Sequence, residues 1–259
     1  MSARFTDQVV LITGASTGLG LATARAFLNE GARVILAASD TNRLQQAAAT
    51  LGPNATAIPC DVTNRDQVVH LIADTIRQFQ RLDILINNAG TGMLSPLDQA
   101  TSADIAALLD TNFHGTVHCI QAALPHMTTG ARVINISSLA GLRGIPGSSV
   151  YSASKAAIVA LSEALRIELR DRGITVTVVC PGRIRLTDTG FFDTAKKTAN
   201  TSLLPVAEEL TADQVAAAIL DATAKHKKLI VLPREAKLLH LIQRFSPRLA
   251  DNILAKRQP

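Results

Sequence analysis

Residues 8–20 read QVVLITGASTGLG, and this stretch decides the fold of the chain. Its apolar start is typical of a buried parallel strand, and it passes directly into a glycine-rich turn and a helix. Gly14 allows the sharp turn, while Gly18 and Gly20 remove Cβ atoms where a backbone and a pyrophosphate approach closely. The first amide groups of the helix favour phosphate. This order of elements predicts a dinucleotide site rather than a plain structural turn.

The alternation of apolar runs and helical patterns continues along the chain. Strands are predicted at 8–13, 33–38, 55–59, 82–87, 132–137, 174–179 and 229–233. Helices are predicted between them, at 18–30, 41–50, 64–80, 102–124, 149–171 and 211–224. Most strand runs are continuously apolar, which indicates strands buried on both faces. We expect an α/β fold with a Rossmann-like, doubly wound, parallel seven-stranded sheet and helices on both of its faces.

Composition and charge exclude several classes of protein. The 259 residues are 47% hydrophobic and 18% charged, which is typical of a globular protein and excludes a disordered one. Three widely spaced cysteines imply no disulfide framework. The chain has no recognisable signal peptide and no apolar run of the ~20 residues that span a bilayer, so we expect a cytoplasmic protein.

The positive charge is concentrated at the C-terminal end. Residues 225–259 carry nine basic and two acidic side chains, whereas the rest of the chain carries 17 basic and 19 acidic ones. A nucleic-acid module would show a basic face across its fold together with stacking aromatics, and aromatic residues make up only 3% here. We therefore expect no nucleic-acid partner.

A C-terminal extension, residues 234–259, is predicted to follow one Rossmann-fold catalytic domain at 1–233. Apolar residues in the extension recur at helical spacing opposite basic ones, and Ser246-Pro247 is a helix-start signal. We expect two short basic amphipathic helices with three open roles: packing on the body, an oligomer contact, or peripheral contact with an anionic membrane. Residues 183–205 form the longest stretch without a clear element and are predicted to act as a lid.

Ser138, Tyr151 and Lys155 form a second constellation. Ser138 directly follows a predicted strand, at the carboxyl edge where doubly wound sheets bind ligands. Tyr151 and Lys155 are four residues apart on a predicted helix and share one face. A lysine ammonium beside a phenol lowers the tyrosine pKa, which predicts that Tyr151 is an acid or base usable near neutral pH.

Together, these motifs resemble the short-chain dehydrogenase/reductase family, in its single-domain branch. The resemblance extends from Gln8 to about Pro233 and depends on the order and spacing of several motifs. In chain order these are TGASTGLG at 13–20, Asp61-Val62, NNAG at 87–90, Asn112, Ser138, YSASK at 151–155 and Pro181-Gly182.

The resemblance implies a catalytic tetrad of Asn112, Ser138, Tyr151 and Lys155. Tyr151 would exchange a proton with the substrate oxygen while hydride moves to or from the nicotinamide, and Ser138 would stabilise that oxygen. Lys155 would hold the nicotinamide ribose and depress the Tyr151 pKa. Asn112 would interrupt its helix and position a water that relays protons to Lys155. The implied cofactor contacts are Gly14, Ser16, Thr17, Gly18, Leu19, Gly20, Ser39, Arg43, Asp61, Val62, Asn88, Ala89, Gly90, Tyr151, Lys155, Pro181, Gly182, Ile184 and Thr187.

The chain departs from the family pattern after Pro181-Gly182. The family usually places a threonine soon after this pair, where it holds the nicotinamide carboxamide. Leu186 takes that position here, and Thr187 would restore the contact through a bulge.

A second departure concerns the choice of cofactor. Ala38 stands where relatives that prefer NAD usually carry an acidic residue. Without that carboxylate a 2′-phosphate meets less repulsion, and Ser39 and Arg43 are placed to bind it, although Asp40 lies close. NADP is therefore the expected cofactor and NAD the alternative.

The residues and the resemblance predict an NAD(P)-dependent oxidoreductase that interconverts a carbonyl and a secondary or primary alcohol. Its pocket is predicted to be lined by Met93, Leu139, Leu142 and Ile145, which favours a hydrophobic small-molecule substrate. The alternative is a catalytically silent nicotinamide-binding regulator or scaffold. We expect a homodimer or homotetramer and no metal, since His114 and His118 have the spacing of a metal pair but no evident third ligand.

Overall fold

The computed structural model of the protein describes residues 3–185, 209–233, 236–237 and 245–246. Within them, seven parallel strands form one sheet in the order β3-β2-β1-β4-β5-β6-β7. The strands are β1 (Val9–Thr13), β2 (Arg33–Ala38), β3 (Ala55–Pro59), β4 (Ile84–Asn87), β5 (Arg132–Ile136), β6 (Thr175–Pro181) and β7 (Leu229–Leu232). The order reverses between β1 and β4, which is where a doubly wound sheet opens a crevice for a ligand. The predicted α/β fold is confirmed.

Helices cover both faces of this sheet. They are α1 (Gly18–Asn29), α2 (Thr41–Leu51), α3 (Arg65–Phe79), α4 (Ser102–Leu109), α5 (Gly115–Ala123), α6 (Leu139–Leu142), α7 (Ser149–Glu168) and α8 (Ala212–Ala224). A π-helical turn, Asp110–His114, joins α4 to α5, and short 3-10 turns lie at Leu97–Gln99, Leu124–His126 and Arg170–Arg172. The predicted helix at 102–124 is therefore interrupted at the turn that contains Asn112, where the resemblance implied a break, and the short α6 had no counterpart in the prediction.

The core has two layers, one on each face of the sheet. Along β1, Val10 and Ile12 pack into the layer beneath α1 and α8, whereas Val9 and Leu11 pack into the layer beneath α3 and α5. Both faces of the strand are therefore apolar, and this explains why its sequence reads as an unbroken hydrophobic run.

Two predicted segments lie largely outside the described residues. These are the lid at 183–205, described only to residue 185, and the extension at 234–259, described at 236–237 and 245–246. Within the extension, Ala236 is buried against Leu139 and Val231, and Phe245 is exposed. In the described part of the chain, no helix is both long and apolar enough to cross a membrane.

Candidate active site

A cavity of about 860 Å³ runs along the carboxyl edge of the sheet, across the ends of β1 to β6. This volume falls in the range of pockets that hold a small molecule or cofactor. The predicted contact residues line it, with four exceptions: Arg43, Asn112, Leu142 and Thr187. Thr187 lies outside the described residues, and the other three are placed as follows.

The glycine-rich turn is shaped by contacts within the protein. Gly14 has φ +62°, and a Cβ on it would lie 2.8 Å from Ala89 Cα. A Cβ on Gly20 would lie 2.2 Å from the Gly14 carbonyl oxygen. The Asn88 amide donates to the Thr13 and Gly14 carbonyls, both at 3.0 Å. Gly20 thus serves the packing of the turn on the helix, and it also lines the cavity, so the close pyrophosphate approach stays a prediction.

The start of α1 is open toward an anion. Thr17 occupies its N-cap position without a side-chain capping hydrogen bond, and the first turn carries no acidic residue. Thr17, Gly18 and Leu19 all line the cavity. The unsatisfied first amides and the positive end of the helix dipole therefore fit a diphosphate.

The end of β2 forms the rim of the cavity beside α2. Ser39 and Asp40 line it. The Asp40 carboxylate caps α2 by accepting from the Arg43 amide at 3.0 Å, and its other oxygen lies 3.4 Å from Arg43 Nε. Arg43 does not line the cavity, and its guanidinium lies beside Asp40 in an exposed ion pair.

The wall that follows β3 is fixed from behind by α5. A Cβ on Gly115 would lie 2.6 Å from Val62 Cγ2, so only a glycine admits this approach. The His118 ring nitrogen Nδ1 lies 3.1 Å from the Val62 carbonyl oxygen. Asp61 accepts two hydrogen bonds from Thr63.

Helix α7 places Tyr151 and Lys155 against the end of β5. Lys155 is only 3% exposed, and its Nζ donates to the Ile136 carbonyl at 3.2 Å. The same ammonium lies 5.9 Å from the centroid of the Tyr151 ring. The hydroxyl of Ser138 makes a hydrogen bond with that of Tyr151. Three predicted catalytic side chains therefore meet on one wall.

The pKa values of this wall differ from the sequence argument. Burial raises the Tyr151 pKa to about 12, although the hydrogen bond with Ser138 lowers it. Burial also lowers the Lys155 pKa to about 8. The Tyr151 pKa is therefore raised, contrary to the predicted depression, because the loss of water around the phenol outweighs the hydrogen bond with Ser138.

Asn112 lies in the π-helical turn, behind the cavity wall. Its Oδ1 accepts from the Thr91 amide at 2.8 Å, and its Nδ2 donates to the Thr91 carbonyl at 3.0 Å and to Ser154 Oγ at 3.1 Å. Its side chain therefore joins the segment after β4 to the helix that carries Tyr151. The water relay implied for Asn112 stays a prediction.

Three residues that fix Lys155 and Tyr151 were not singled out in the sequence. Ser137 Oγ donates to the Lys155 carbonyl at 2.7 Å, and Ser154 Oγ donates to the Tyr151 carbonyl at 2.7 Å. A Cβ on Gly141 would lie 2.5 Å from the Lys155 carbonyl oxygen. The only sequence signal of Ser137 and Ser154 is their position inside the NISS and YSASK stretches, which does not say where a hydroxyl points, and Gly141 lies outside both stretches.

The substrate end of the cavity is mostly apolar. Met93, Leu139 and Ile145 line it. Leu142 instead packs behind the wall against core residues such as Ile158.

At the mouth, Arg183 Nε lies 2.7 Å from the carboxylate of Glu209, and Arg185 Nε lies 3.6 Å from its other oxygen. Glu209 was not predicted as a site residue. It is remote in sequence from every motif, and only the pairing of 183–185 with Leu210 brings it to the cavity.

The two histidines with metal-like spacing have other partners. His114 Nδ1 lies 2.8 Å from Asp110, one turn away on the helix, and His118 contacts the Val62 carbonyl. Across residues 3–185, 209–233 and the short described pieces beyond, no group of three or more His, Cys, Asp or Glu side chains is placed to hold a metal ion.

Comparison with known proteins adds evidence from sequence and from overall fold. A family model described as short chain dehydrogenase matches residues 8–199. An uncharacterized oxidoreductase of Staphylococcus saprophyticus is 35% identical over 184 residues, covering 69% of this chain and 79% of its own. The L-fucose dehydrogenase of Oryctolagus cuniculus is 38% identical over 188 residues, covering 70% and 64%. A short chain dehydrogenase/reductase from Burkholderia phymatum, solved in complex with NAD, superposes with a TM-score of 0.85 at 26% identity over 95% and 96% of the two chains.

Proposed function

The chain belongs to the short-chain dehydrogenase family, and we propose that it interconverts a carbonyl and a secondary or primary alcohol on a hydrophobic substrate. Family membership and the NAD-bound neighbour support an NAD(P)-dependent oxidoreductase that acts on a small molecule. The observation that carries the proposal is the meeting of Ser138, Tyr151 and Lys155 on one wall of the cavity.

The chemistry is divided between the cofactor and the protein. When bound, the nicotinamide supplies or accepts the hydride. The hydroxyls of Ser138 and Tyr151 would hydrogen-bond the substrate oxygen and orient it. Since the Tyr151 pKa is raised to about 12, this hydroxyl is protonated at neutral pH and is ready to donate its proton to a carbonyl. Oxidation of an alcohol would require Tyr151 to accept a proton, so alcohol oxidation is favoured as the pH rises.

Lys155 would assist through its charge. With a pKa of about 8 it is an ammonium at neutral pH, and its positive charge favours the anionic form of Tyr151 as the proton leaves. Its Nζ also lies beside Gly90, at the cavity wall where a ribose hydroxyl would bind.

The lining favours an apolar substrate over a sugar. Among the described lining residues the carboxylates are Asp40, Asp61 and Glu209. The first two follow β2 and β3, away from Tyr151, and Glu209 is engaged by Arg183 and Arg185. Among the described lining residues a polyol would therefore find no carboxylate near Tyr151 that is free of an arginine. The identity to an L-fucose dehydrogenase makes sugar oxidation the second candidate function.

We propose NADP as the preferred cofactor, with NAD as the alternative. The preference is supported by Ala38, which carries no carboxylate at the end of β2, and by the engagement of Asp40 with Arg43. Ser39 lines the cavity and has a hydroxyl to offer a 2′-phosphate.

A substrate panel with both cofactors tests the proposal. We expect NADPH-dependent reduction of 2-octanone and 1-decalone, and no oxidation of L-fucose with NADP or NAD. A parallel titration would follow the fluorescence of NADPH and NADH, with little background because the chain contains no Trp. Oxidation of L-fucose without reduction of either ketone would replace the hydrophobic substrate with a sugar. Tight cofactor binding without turnover of any compound would favour the silent regulator or scaffold.

We also propose a homodimer or homotetramer and leave the membrane contact of residues 234–259 as a separate hypothesis. Sedimentation velocity measures the oligomeric state. Flotation with phosphatidylserine vesicles at low and high salt tests the second, and protein that stays at the bottom of the gradient would exclude it.

A further inference from the structure

Ser148 has a hydroxyl that serves a different purpose from the one its position suggests. It is the N-cap residue of α7, where a serine usually accepts a hydrogen bond from the first turn of its own helix. The structure shows no such bond. Ser148 lines the cavity but is only 2% exposed, and its hydroxyl donates to the carbonyl of Met93 at 2.8 Å.

Ser152 completes the arrangement one turn later. Its Oγ donates to the Ser148 carbonyl at 2.8 Å and accepts from the Ile145 amide at 3.1 Å. Met93 and Ile145, two apolar residues of the substrate wall, are therefore hydrogen-bonded through buried hydroxyls to the first turn of the helix that carries Tyr151.

We infer that Ser148 is a positioning residue that sets the distance between Tyr151 and the cavity segment that contains Met93. That distance in turn sets the size of the substrate that the site accepts. This inference rests on the proposed carbonyl chemistry. Removal of the hydroxyl leaves the Met93 carbonyl without this buried donor, which favours movement of the segment after β4 toward water. The part of the cavity where we propose that the diphosphate binds is built from the turn after β1, which lies outside this hydrogen-bonded group.

Ser148→Ala tests the inference, and Thr177→Val is its matched control. Thr177 lies in β6 and is also buried. Its hydroxyl donates to the Lys227 carbonyl at 2.6 Å, away from the cavity. Each variant thus loses one buried hydroxyl-to-carbonyl bond between distant parts of the chain. Ser148→Cys keeps the size of the side chain with a weak donor and provides a second variant.

Two readouts distinguish a positioning role from a merely structural one. In Ser148→Ala we expect amide hydrogen exchange to become about tenfold faster at both 91–94 and 145–148, with NADPH affinity within about twofold of the parent. We expect the ratio of kcat/KM for 1-decalone over 2-butanone to rise at least about fivefold, because a wider pocket favours the bulky ketone and holds the small one poorly. Ser148→Cys should fall between Ser148→Ala and the parent, and Thr177→Val should leave both readouts unchanged.

Unchanged amide exchange at 91–94 or at 145–148 in Ser148→Ala would overturn the inference. An equal rise in exchange at these segments in Thr177→Val would also overturn it. An unchanged ketone ratio with faster exchange would also overturn it, since the wall would then not set the pocket size. If no ketone turns over in the parent, the proposed function fails, while hydrogen exchange still decides whether Ser148 joins the two walls.

Discussion

The two ends of the cavity are built in opposite ways. At the end beside α1, where we propose that a diphosphate binds, Gly14 and Gly20 have no side chain and allow one piece of backbone to lie directly on another. At the catalytic end it buries polar side chains, and the amide and hydroxyls of Asn112, Ser137 and Ser154 fix the helix of Tyr151. Adding an atom should therefore destabilise the first end. The second end should respond instead to the loss of a charge or of a hydrogen bond.

The largest effect is expected from Gly20→Ala at the diphosphate end. The new Cβ would lie 2.2 Å from the Gly14 carbonyl oxygen, so α1 or the turn must move. We expect a loss of about 3 kcal/mol or more in the free energy of unfolding, measured by urea denaturation, because this contact is with backbone.

Gly144→Ala is the matched control for that variant. A Cβ on Gly144 meets nothing within 4 Å, so its cost should stay below about 0.5 kcal/mol. Equal costs for the two alanine variants would contradict the packing role of Gly20.

At the catalytic end, replacing a buried charge by an apolar side chain should raise the free energy of unfolding, not lower it. Lys155→Met removes an ammonium whose pKa falls from 10.5 to about 8 on folding, because burial disfavours its charge. The unfolded chain binds more protons between these two values, so wild-type stability rises with pH across that window. Below about pH 8 the variant should be more stable by up to roughly 3 kcal/mol, and this advantage should vanish by about pH 10.5. Urea denaturation at pH 7 and pH 10.5 measures it.

Lys228→Met supplies the control, since its side chain is exposed and its loss should change stability by less than about 0.5 kcal/mol at either pH. A Lys155→Met protein that is less stable than the parent at pH 7 would mean that the ammonium stabilises the fold, contrary to the burial argument.

A smaller effect is expected from Ala38→Asp, which adds a carboxylate at the end of β2. It should shift the ratio of NADPH to NADH affinity toward NADH by about tenfold, because the carboxylate repels a 2′-phosphate and accepts from ribose hydroxyls. Gln46→Glu adds the same charge on the exposed face of α2 and should leave the ratio unchanged. A ratio that does not move in Ala38→Asp would remove this position from cofactor choice.

The sequence was sufficient for the sheet because its signals are local. The β2 and β3 runs were predicted at 33–38 and 55–59, the bounds that the structure shows, since each is a short apolar stretch between turn signals. Tyr151 and Lys155 were likewise found from a spacing of four on one helix.

What the sequence did not provide depends on contacts between distant segments. The short helix α6 has no periodic signal of its own, and the break in the helix at Asn112 was expected from the family resemblance and not from periodicity. The direction of the Tyr151 pKa depends on how completely the fold removes water from the phenol, which no spacing reveals. Leu142 looked like a pocket residue beside Leu139, but it does not line the cavity and packs, partly buried, against Ile158.

The most direct test of the central claim is the kinetics of Tyr151→Phe with 2-octanone and NADPH. This variant keeps the ring and removes the hydroxyl that Ser138 contacts. We predict that kcat/KM falls about a thousandfold while the NADPH dissociation constant stays within about twofold of the parent. Turnover at the parent's rate would contradict the assignment of Tyr151 as the acid and base of this site.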